Sequence, residues 1–458
     1  MKTEIHAGEL PVFWDRSVVF FANLLDLFFG NEGETDALVE QVSGLEYYGG
    51  RLAPILDLIY RGRNNVLVVE RAPSTELLSY FSSLGLSLPQ IVAQSGSVTT
   101  IRRLLSEQRL PSQGALTPEL STIADSQAGW LDGFVTHPDL TRLAEGLSKT
   151  TINTVDGSRN GNNKLLLHRH LEQQGLPVFE TRYARDVGSV LSALAELAKM
   201  GFGRAAIKAQ IGASGVGLVQ LDTSTSSEEE LRACGCKDFL FEGGECMVQG
   251  WLGSEGGALQ MVGSPSVQLF LTDETLHLFD LTEQILGDDS IHEGNVAPPP
   301  FASSKAEIPD LLLEQAAIAG RWLHETGYRG TASVDFLVVE RDGKPESYVC
   351  EINARVTGAT YPSVLARHFR PHGAWVMRNF RFARPVSADQ LLSSLNDSGR
   401  LFRGEEQGNV LPINFSYAPD ARVNKAQFLF LRETPEACFA ELDSLREELT
   451  AEWRFDRD

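Results

Sequence analysis

The sequence lacks an apolar run long enough to cross a membrane. A spanning helix needs about 20 consecutive apolar residues, whereas the longest candidate, residues 18–30, is shorter and contains Asn23 and Asp26. No signal-peptide cleavage pattern lies near it. We therefore expect a cytoplasmic protein with no membrane partner, in which this stretch forms a buried amphipathic helix. A helix lying on a membrane surface is the alternative.

Basic residues and paired cysteines are also scarce. The 40 Lys and Arg residues are outnumbered by 61 Asp and Glu residues, which gives a net charge of −21. Because no basic stripe is available to neutralise phosphates, we do not expect nucleic acid as a partner. The five cysteines are an odd number, and the spacing of Cys234 and Cys236 fits neither a zinc knuckle nor a redox pair. Free thiols in a reducing cytoplasm are therefore expected.

The common glycine patterns of nucleotide-binding proteins are absent too. The sequence has no Walker A motif, and its glycine-rich stretch from Gly212 to Gly217 joins two strand-like runs instead of opening a helix, as a Rossmann fingerprint would. Such a turn suits a flap whose backbone N–H groups close over phosphates, with Ser214 as an extra donor. Lys208 lies in the strand that enters the turn, where a phosphate or nucleotide could meet its charge. A glycine-rich hairpin without a ligand is the alternative.

A second hairpin, residues 331–355, carries charged residues where buried strands are normally apolar. An Asp-Gly pair predicts the turn, and a loop centred on Gly343 makes paired residue numbers add up to 686, which places Asp335 opposite Glu351. Asn353 shares their face because residues two apart in a strand point the same way. Two carboxylates and an amide match the oxygen ligands of Mg²⁺ beside nucleotide phosphates. A solvated acidic hairpin is the alternative.

At 458 residues the chain is expected to form about three structural units. Strand, helix and strand patterns between residues 65 and 93 predict a small α/β layer in about residues 1–125. A stretch rich in Pro, Ser, Gly and Thr at about residues 111–122 marks its boundary. A second unit is predicted for residues 126–370. The third, 371–458, has short strands and a covering helix near 435–449. Aromatic residues in the first layer are expected in its core or at an interface, and they suggest a surface for homodimer formation; they are Trp14, Phe20, Phe21, Phe28 and Phe29.

A helix is predicted for residues 164–174, with Gly175 and Pro177 as its stop signals. Lys164 falls in its first turn, where positive charge is mildly unfavourable. An anionic ligand would remove the conflict, and a solvent-facing lysine is the alternative.

These parts occur in the order found in the ATP-grasp superfamily, which the chain resembles. The order is a lysine near a helix start, a lysine before a glycine-rich flap, an apolar linking strand and the acidic hairpin. The resemblance covers residues 126–370 and is most specific in 330–336 and 351–355. It implies an ATP-grasp fold of two α+β lobes that clamp ATP, with the flap in about 200–250. A small α/β pre-ATP-grasp domain would precede these lobes, and a C-terminal α+β extension would follow them.

The resemblance also implies two cofactors, ATP and Mg²⁺, and a set of site residues. Lys164 and Lys208 would contact the ATP phosphates and adenine, and Arg355 would face an acyl phosphate, so that Lys208 and Arg355 are the implied catalytic residues. The lid would comprise Gly212, Ser214, Gly215 and Gly217. The hinge that reads the adenine edge would comprise Met247, Gln249, Gly250 and Trp251. The Mg²⁺ ligands would be Asp335, Glu351 and Asn353.

Within the superfamily, the chain resembles the pheganomycin-type peptide ligases, which carry a pre-ATP-grasp domain. The shared features are the Gly-Ala-Ser-Gly flap, the Leu-Thr-Glu-Gln stretch at 281–284, and Arg-Val-Thr-Gly-Ala after Asn353. The chain departs from many ATP-grasp enzymes in having Lys208-Ala-Gln where they have Lys-Pro. Glu255 is the candidate for the ribose-binding acid.

The implied activity joins a small-molecule carboxylate to an amine through an acyl phosphate, with release of ADP and phosphate. A carboxylate is a poor acyl donor, and phosphorylation by ATP makes it one that an amine can attack. The resemblance implies amino acids or small peptides as substrates. Thr357 and Tyr361 follow Arg355 closely enough to line the substrate pocket, with packing as an equal alternative. Two other functions stay open: a kinase that phosphorylates a hydroxyl, and a regulatory protein that binds ATP without catalysis.

Overall fold

The computed structural model describes residues 1–6, 8–94, 101–102, 104, 118–213, 215–252, 259–287, 292–404 and 407–449. Three β-sheets organise this part of the chain. None of the helices found in these ranges is long and apolar enough to span a membrane.

The first sheet, the N-terminal sheet, has five parallel strands. In spatial order they are Gln90–Ala93, Val66–Val69, Val18–Phe21, Trp130–Gly133 and Thr150–Thr151. The central strands are runs of β-branched and aromatic residues, buried throughout, as expected of a parallel sheet. The accompanying helices are Glu32–Gln41, Leu56–Ile59, Thr75–Ser83, Pro118–Asp125 and Pro138–Gly146, with 3-10 helices Leu24–Phe28 and Leu45–Leu52. The predicted strand, helix and strand at residues 65–93 are confirmed.

The N-terminal sheet continues past the boundary proposed at residue 125. Its strands Trp130–Gly133 and Thr150–Thr151 come from the next part of the chain. Strands of four and two residues carry too little periodicity to be recognised in a sequence. Residue 125 therefore does not mark the end of this sheet, and the division into domains remains a proposal.

The buried helix predicted for residues 18–30 is wrong. The chain instead forms the strand Val18–Phe21 and then the 3-10 helix Leu24–Phe28. A short apolar run fits a buried strand and a buried helix equally well by periodicity. Here the run Val-Val-Phe-Phe lies in the middle of the N-terminal sheet, where β-branched and aromatic side chains favour a strand.

The aromatic residues that suggested a homodimer surface lie mostly inside the protein. Trp14, Phe20, Phe21 and Phe28 are at most 8% exposed, and Phe29 is half-buried. These rings pack in apolar cores of the same chain. They therefore do not provide the surface on which that prediction rested.

The second sheet, the flap sheet, is antiparallel. Its strands in spatial order are Thr181–Ala184, Cys246–Trp251, Arg204–Ala213 and Val216–Asp222. Its helices are Val187–Lys199, Glu228–Ala233 and the 3-10 helix Asp238–Phe241. Successive strand residues point to opposite faces, so Ile207 and Ala209 join the core beneath these helices and Lys208 lies on the other face.

The third sheet, the large sheet, has ten strands and contains the acidic hairpin. Eight of them lie in the order Leu259–Gly263, Gly330–Arg341, Pro265–Leu271, Thr275–Leu286, His292–Ala297, Ala374–Val386, Val423–Arg432 and Val410–Tyr417. Lys344–Asn353 pairs with Gly330–Arg341, and Lys2–Ile5 pairs with Thr275–Leu286. The remaining helices are Val155–Gly161, Lys164–Gln173, Pro300–Ser303 (3-10), Glu307–Glu325, Thr360–Phe369, Ala388–Asp397 and Pro435–Glu448. The C-terminal strands thus belong to the same sheet as the hairpin.

Candidate active site

The acidic hairpin pairs Asp335 with Glu351 as predicted, but the strand register near the turn differs from the predicted one. Asp342 and Gly343 form a two-residue turn with φ angles of 52° and 76°, as an Asp-Gly pair favours. Paired residue numbers therefore add up to 685 near the turn, and a bulge at Cys350 shifts the sum to 686. Asp335 then lies opposite Glu351. The predicted pair is confirmed, although the loop is not centred on Gly343.

The hairpin brings the three residues proposed as Mg²⁺ ligands together. Asn353 donates from Nδ2 to Asp335 Oδ2 at 2.8 Å and to Glu351 Oε1 at 3.3 Å. Ser266 Oγ donates to Asp335 Oδ1 at 2.7 Å. On the far side of the pair, Lys164 Nζ lies 2.6 Å from Glu351 Oε2. The two carboxylates are thus bridged by one amide and flanked by a hydroxyl and an ammonium group.

The pKa values of the two carboxylates move in opposite directions. Burial, reinforced by the charge of Glu351, raises the pKa of Asp335 to about 7. Burial also opposes ionisation of Glu351, but the charge and hydrogen bond of Lys164 outweigh it and hold the pKa of Glu351 below its ordinary value. The negative charge of Asp335 is therefore poorly compensated by the protein, and a cation beside it would relieve this.

Lys164 begins the helix Lys164–Gln173, close to the predicted bounds. The side chain of Asn163 caps this helix by accepting hydrogen bonds from the second and third backbone N–H groups that follow it. The Lys164 side chain is only 14% exposed and contacts Glu351, and its Nζ donates to the carbonyl of Gly212 at 3.3 Å. The solvent-facing alternative is therefore wrong, and this ammonium group joins the flap to the hairpin.

Arg355 is held by Asn162, a residue that sequence analysis missed. The strand ends at Asn353, and Arg355, just beyond it, donates from Nη1 to Asn162 Oδ1. The same oxygen accepts from the backbone N–H of Ala354 at 3.2 Å, and Asn162 Nδ2 donates to the Ala354 carbonyl at 3.3 Å. Asn162 is 2% exposed. It therefore fixes both the guanidinium group and the backbone behind it, although its sequence context is that of an ordinary helix end.

The strand Cys246–Trp251 contains the four residues proposed as the hinge. Met247 pairs with Lys208 on the adjacent strand, and Lys208 Nζ donates to Gln249 Oε1 at 2.6 Å. Burial lowers the pKa of Lys208. Gly250 packs on a phenylalanine ring that would lie 2.6 Å from an added Cβ. The proposed hinge is thus one continuous strand beside Lys208, with Trp251 half-buried at its end.

A chain of polar side chains behind Lys208 also escaped the sequence analysis. Gln249 Nε2 donates to Thr181 Oγ1 at 2.9 Å, and Thr181 Oγ1 lies 3.3 Å from His168 Nε2. His168 Nδ1 lies 3.0 Å from the Tyr183 hydroxyl. These contacts orient the Gln249 amide so that its oxygen faces Lys208. His168 occupies a buried position of its helix, so its spacing alone resembles that of a core residue.

The proposed lid is a turn in which backbone conformation or close packing favours glycine at three positions. Gly215 and Gly217 have φ angles of 83° and 79°, a left-handed conformation that favours glycine. A Cβ on Gly212 would lie 2.7 Å from a backbone carbonyl across the turn. Ser214 and Glu255 lie outside the described residues.

The flap packs against the N-terminal unit through an apolar group that we call the flap cluster. Its buried members are Leu25, Leu27, Phe28, Ala37, Leu38, Leu45 and Val135 from the N-terminal unit, and Ile211 and Val216 from the flap. Beside it, Glu34 Oε1 lies where a Cβ on Gly217 would be only 2.5 Å away. Burial raises the pKa of Glu34 to about 8, with Lys164 acting against this rise. A glutamate in the first turn of a helix is normally exposed, so the sequence carries no signal for this contact.

Comparison with curated proteins gives one relative by sequence. A protein from Niallia circulans named [Butirosin acyl-carrier protein]--L-glutamate ligase is 25% identical over 291 residues. The match covers 63% of this chain and 60% of that protein, so the chain aligns with less than two thirds of the relative's length. No protein-family model matches the chain.

Solved structures resemble the chain over most of its length. The L-amino acid ligase from Bacillus licheniformis has 12% identity and a TM-score of 0.50, covering 94% of this chain and 97% of that one. The N5-carboxyaminoimidazole ribonucleotide synthetase from Thermus thermophilus has 13% identity and a TM-score of 0.52, covering 96% and 100%. The biotin carboxylase from Campylobacter jejuni has 11% identity and a TM-score of 0.56, covering 94% and 91%. These structures share the ATP-grasp fold. The chain is therefore an ATP-grasp protein by fold, as the order of its motifs predicted, and a relative in sequence of an L-glutamate ligase.

Proposed function

We propose that the chain is an ATP- and Mg²⁺-dependent ligase that joins a carboxylate to an amine through an acyl phosphate. The observation that carries this proposal is the position of Lys164. Its ammonium group contacts the flap at the Gly212 carbonyl and the hairpin at Glu351. A phosphate chain lying between flap and hairpin would therefore meet a fixed positive charge at the point where the two approach each other.

The nucleotide would lie between the flap sheet and the large sheet. Lys208 is held by Gln249 at 2.6 Å on the face opposite the flap sheet's own core, which suits a point charge on a phosphate. The backbone from Met247 to Trp251 would read the adenine edge. The glycine turn would cover the phosphates with its N–H groups.

The residues of the hairpin fit Mg²⁺. Two carboxylates and an amide oxygen are the hard ligands that this ion takes in proteins, and they would come from Asp335, Glu351 and Asn353. The raised pKa of Asp335 has two causes, its burial and then the nearby negative charge of Glu351, and a cation would offset both. When bound, Mg²⁺ supplies neutralising charge for the transferring phosphoryl group.

The chemistry has two steps, both governed by position and charge. A carboxylate oxygen of the substrate attacks the γ-phosphorus of ATP, and the bond to the β-phosphate oxygen breaks, which leaves an acyl phosphate and ADP. The amine nitrogen then attacks the acyl carbon, the carbon–oxygen bond to phosphate breaks, and the nitrogen loses a proton. Arg355, fixed by Asn162, would orient the carboxylate oxygens and then the departing phosphate. Lys164 and Lys208 would hold the phosphates of ATP.

The substrates are proposed to be amino acids or small peptides. The name of the Niallia circulans relative specifies L-glutamate and an acyl-carrier protein, and one structural neighbour is an L-amino acid ligase. Both names support an amino acid as one reactant. The proposed ATP-grasp unit, residues 126–370, would carry the reaction, with the N-terminal and C-terminal units closing the site around it.

The proposal is tested by measuring ADP and phosphate released by the purified protein with ATP, Mg²⁺ and pools of carboxylates and amines. Mass spectrometry identifies any amide formed. Asp335→Asn and Glu351→Gln serve as matched controls and should reduce turnover by at least about 100-fold, the effect of losing a charged group that stabilises a transition state. ADP without free phosphate would favour a kinase. ATP binding without turnover in any pool would favour a regulatory protein.

A further inference from the structure

Three cationic side chains meet where the N-terminal unit covers the C-terminal strands. Arg51 lies in the 3-10 helix Leu45–Leu52, while Arg381 and Lys425 are directly opposite each other on two strands of the large sheet. Within the part of the chain that the structure describes, no carboxylate forms an ion pair with any of the three. We call this group the cationic cluster.

The cluster is built on one face of the large sheet. Lys425 and Gln427 are two residues apart on one strand, and they pair with Arg381 and Asn379 on the next, so all four side chains share a face. The helix Leu45–Leu52 crosses this face, since Asn414 on the edge strand donates from Nδ2 to the carbonyl of Tyr47 at 3.2 Å.

Without an anion this arrangement is unfavourable chiefly at the half-buried Lys425, because Arg381 is exposed to solvent. Like charges directly opposite each other in a sheet are destabilising. Burial, together with the charges of Arg51 and Arg381, lowers the pKa of Lys425 to about 8. Nearby Arg378, by contrast, is paired with Glu293 at 2.5 Å. Local rules that are broken without internal compensation are typical of functional sites.

Contacts with two tyrosines fix the orientation of the Arg51 side chain. Its guanidinium carbon lies 4.0 Å from the centre of the Tyr48 ring and 5.3 Å from that of Tyr361. Its Nη1 donates to the Tyr361 hydroxyl at 3.0 Å, and Gln427 Nε2 donates to the same oxygen at 3.3 Å. Arg51 Nε and Gln427 Oε1 are buried and have no hydrogen-bond partner among the described residues. Arg51 Nε is therefore an unused donor that suits an anionic ligand, whereas Gln427 Oε1 is an acceptor and would not face an anion.

The cationic cluster adjoins the proposed active site. The helix Thr360–Phe369 begins next to the acidic hairpin, because Thr360 Oγ1 donates to Gln268 Oε1 at 3.3 Å and Gln268 Nε2 donates to Ser266 Oγ at 3.0 Å. Ser266 in turn donates to Asp335 at 2.7 Å. Tyr361 lies in the helix Thr360–Phe369, which starts five residues after Arg355. A substrate whose reacting carbon lies at Arg355 could therefore extend past the two tyrosines to the cluster.

We propose that Arg51, Arg381 and Lys425 bind an anionic group of the substrate, a carboxylate or a phosphate, that does not itself react. This inference rests on the proposed ligase function and deepens it, because it names the substrate class: one of the two reactants carries a second negative charge. Arg51 provides a planar pair of donors and Lys425 a point charge, and both groups suit carboxylate and phosphate oxygens.

The test compares substrates that differ only in the second charge. ADP release is measured with glutamate against glutamine, aspartate against asparagine, and phosphoserine against serine, which also separates carboxylate from phosphate. The wild-type protein should prefer the charged member of a pair by about tenfold or more in kcat/KM, because a hydrogen bond to a charged group is stronger than one to a neutral group. Equal kcat/KM within every pair would overturn the inference and leave the ligase proposal intact.

Substitutions test whether the preference for charged substrates depends on the cationic cluster. Lys425→Met and Arg51→Met should raise KM for the charged substrate roughly 10- to 100-fold while kcat, the KM for ATP and the uncharged substrate change little. Lys425→Arg should recover most of the loss, and Arg384→Met, at an exposed position on the same strand as Arg381, is the matched control. Equal losses for charged and uncharged substrates would contradict a binding role.

A binding measurement separates the two proposals. If no amine supports ADP release, the ligase function fails, but glutamate or phosphoserine should still raise the melting temperature of the wild-type protein and not of Lys425→Met. No rise in the wild-type protein with any of these anions would overturn the cationic cluster as a binding site, whatever the enzyme activity.

Discussion

The opposite pKa shifts in the acidic hairpin predict opposite stability effects for two similar substitutions. In protein stripped of metal and held at pH 8, Asp335→Asn should raise the free energy of unfolding, and Glu351→Gln should lower it. Both variants remove one carboxylate from the same hairpin face and should abolish Mg²⁺-dependent activity. The two acids share one hairpin face and differ chiefly in their charged neighbours, so the comparison tests the electrostatic argument.

The raised pKa of Asp335 explains why Asp335→Asn should increase the free energy of unfolding. A carboxyl group whose pKa rises from an ordinary 3.8 to about 7 on folding binds a proton more tightly in the folded protein. It therefore destabilises the fold increasingly as the pH rises from about 4 to 7, and fully above 7. At about 1.4 kcal/mol for each pH unit, this amounts to about 4 kcal/mol as an upper limit. Water around the half-buried group and the altered hydrogen bond to Asn353 reduce the gain to about 2 kcal/mol.

Glu351→Gln should have the opposite effect and lower the free energy of unfolding. Its pKa is held below the ordinary 4.5 by Lys164, so its contribution to stability is present above that value and is lost as the pH falls through the folded pKa. Glu351→Gln also leaves Lys164 without its 2.6 Å partner. Removing one member of a largely buried pair costs about 3 kcal/mol.

Thermal unfolding in EDTA at several pH values provides the assay. A change of about 2 kcal/mol shifts the melting temperature by roughly 4 °C or more in a domain of 150–250 residues. The gain in Asp335→Asn should shrink as the pH falls from about 7 towards 4, whereas the loss in Glu351→Gln should persist over this range and shrink only as the pH falls below 4.5. A lower melting temperature for Asp335→Asn at every pH would refute the reasoning, because the Asp335 carboxyl group would then be stabilising.

Two further predictions concern the flap and the arginine. Gly217→Ala should lower kcat/KM for ATP about tenfold or more, because its Cβ would meet Glu34 at 2.5 Å and strain a φ of 79°. Gly215→Ala carries similar backbone strain but meets nothing described within 4 Å, so equal losses in the two variants would show that the Glu34 contact is irrelevant. Asn162→Ala should lower kcat roughly 10- to 100-fold with little change in the KM for ATP, because it releases Arg355 from its hydrogen bond. A loss seen only as a higher KM for ATP would assign Asn162 to nucleotide binding instead.

The sequence was informative about features that depend only on residues close together in the chain. The Asp335–Glu351 pair follows from strand alternation and an Asp-Gly turn, both of which are local properties. It was placed correctly because two errors cancelled: the turn is shorter than assumed, and the bulge at Cys350 adds the missing residue. A bulge depends on the neighbouring strands and leaves no clear mark in one sequence.

Other features of the site depend on contacts between residues far apart in the chain. Asn162 and Arg355 meet only after the helix Val155–Gly161 packs beside the hairpin's end. Glu34 faces the flap across more than 180 residues of sequence. His168 carries the spacing of a core residue and becomes recognisable only through its polar partners. Periodicity reports which face of an element is buried, and it does not report what lies across from it.

The flap cluster ties the glycine turn to a neighbouring folded unit, and this has a consequence for the rate of nucleotide exchange. Lifting the flap separates Ile211 and Val216 from apolar partners in the N-terminal unit, so the open state exposes apolar surface to water. Salts such as sulfate strengthen apolar contacts, and they should therefore slow the departure of ADP even where they leave the chemical step untouched. If ADP release limits turnover, its rate would then depend on the exposure of these apolar side chains to water and not on charged contacts. Shortening Val216 to alanine should make ADP release faster.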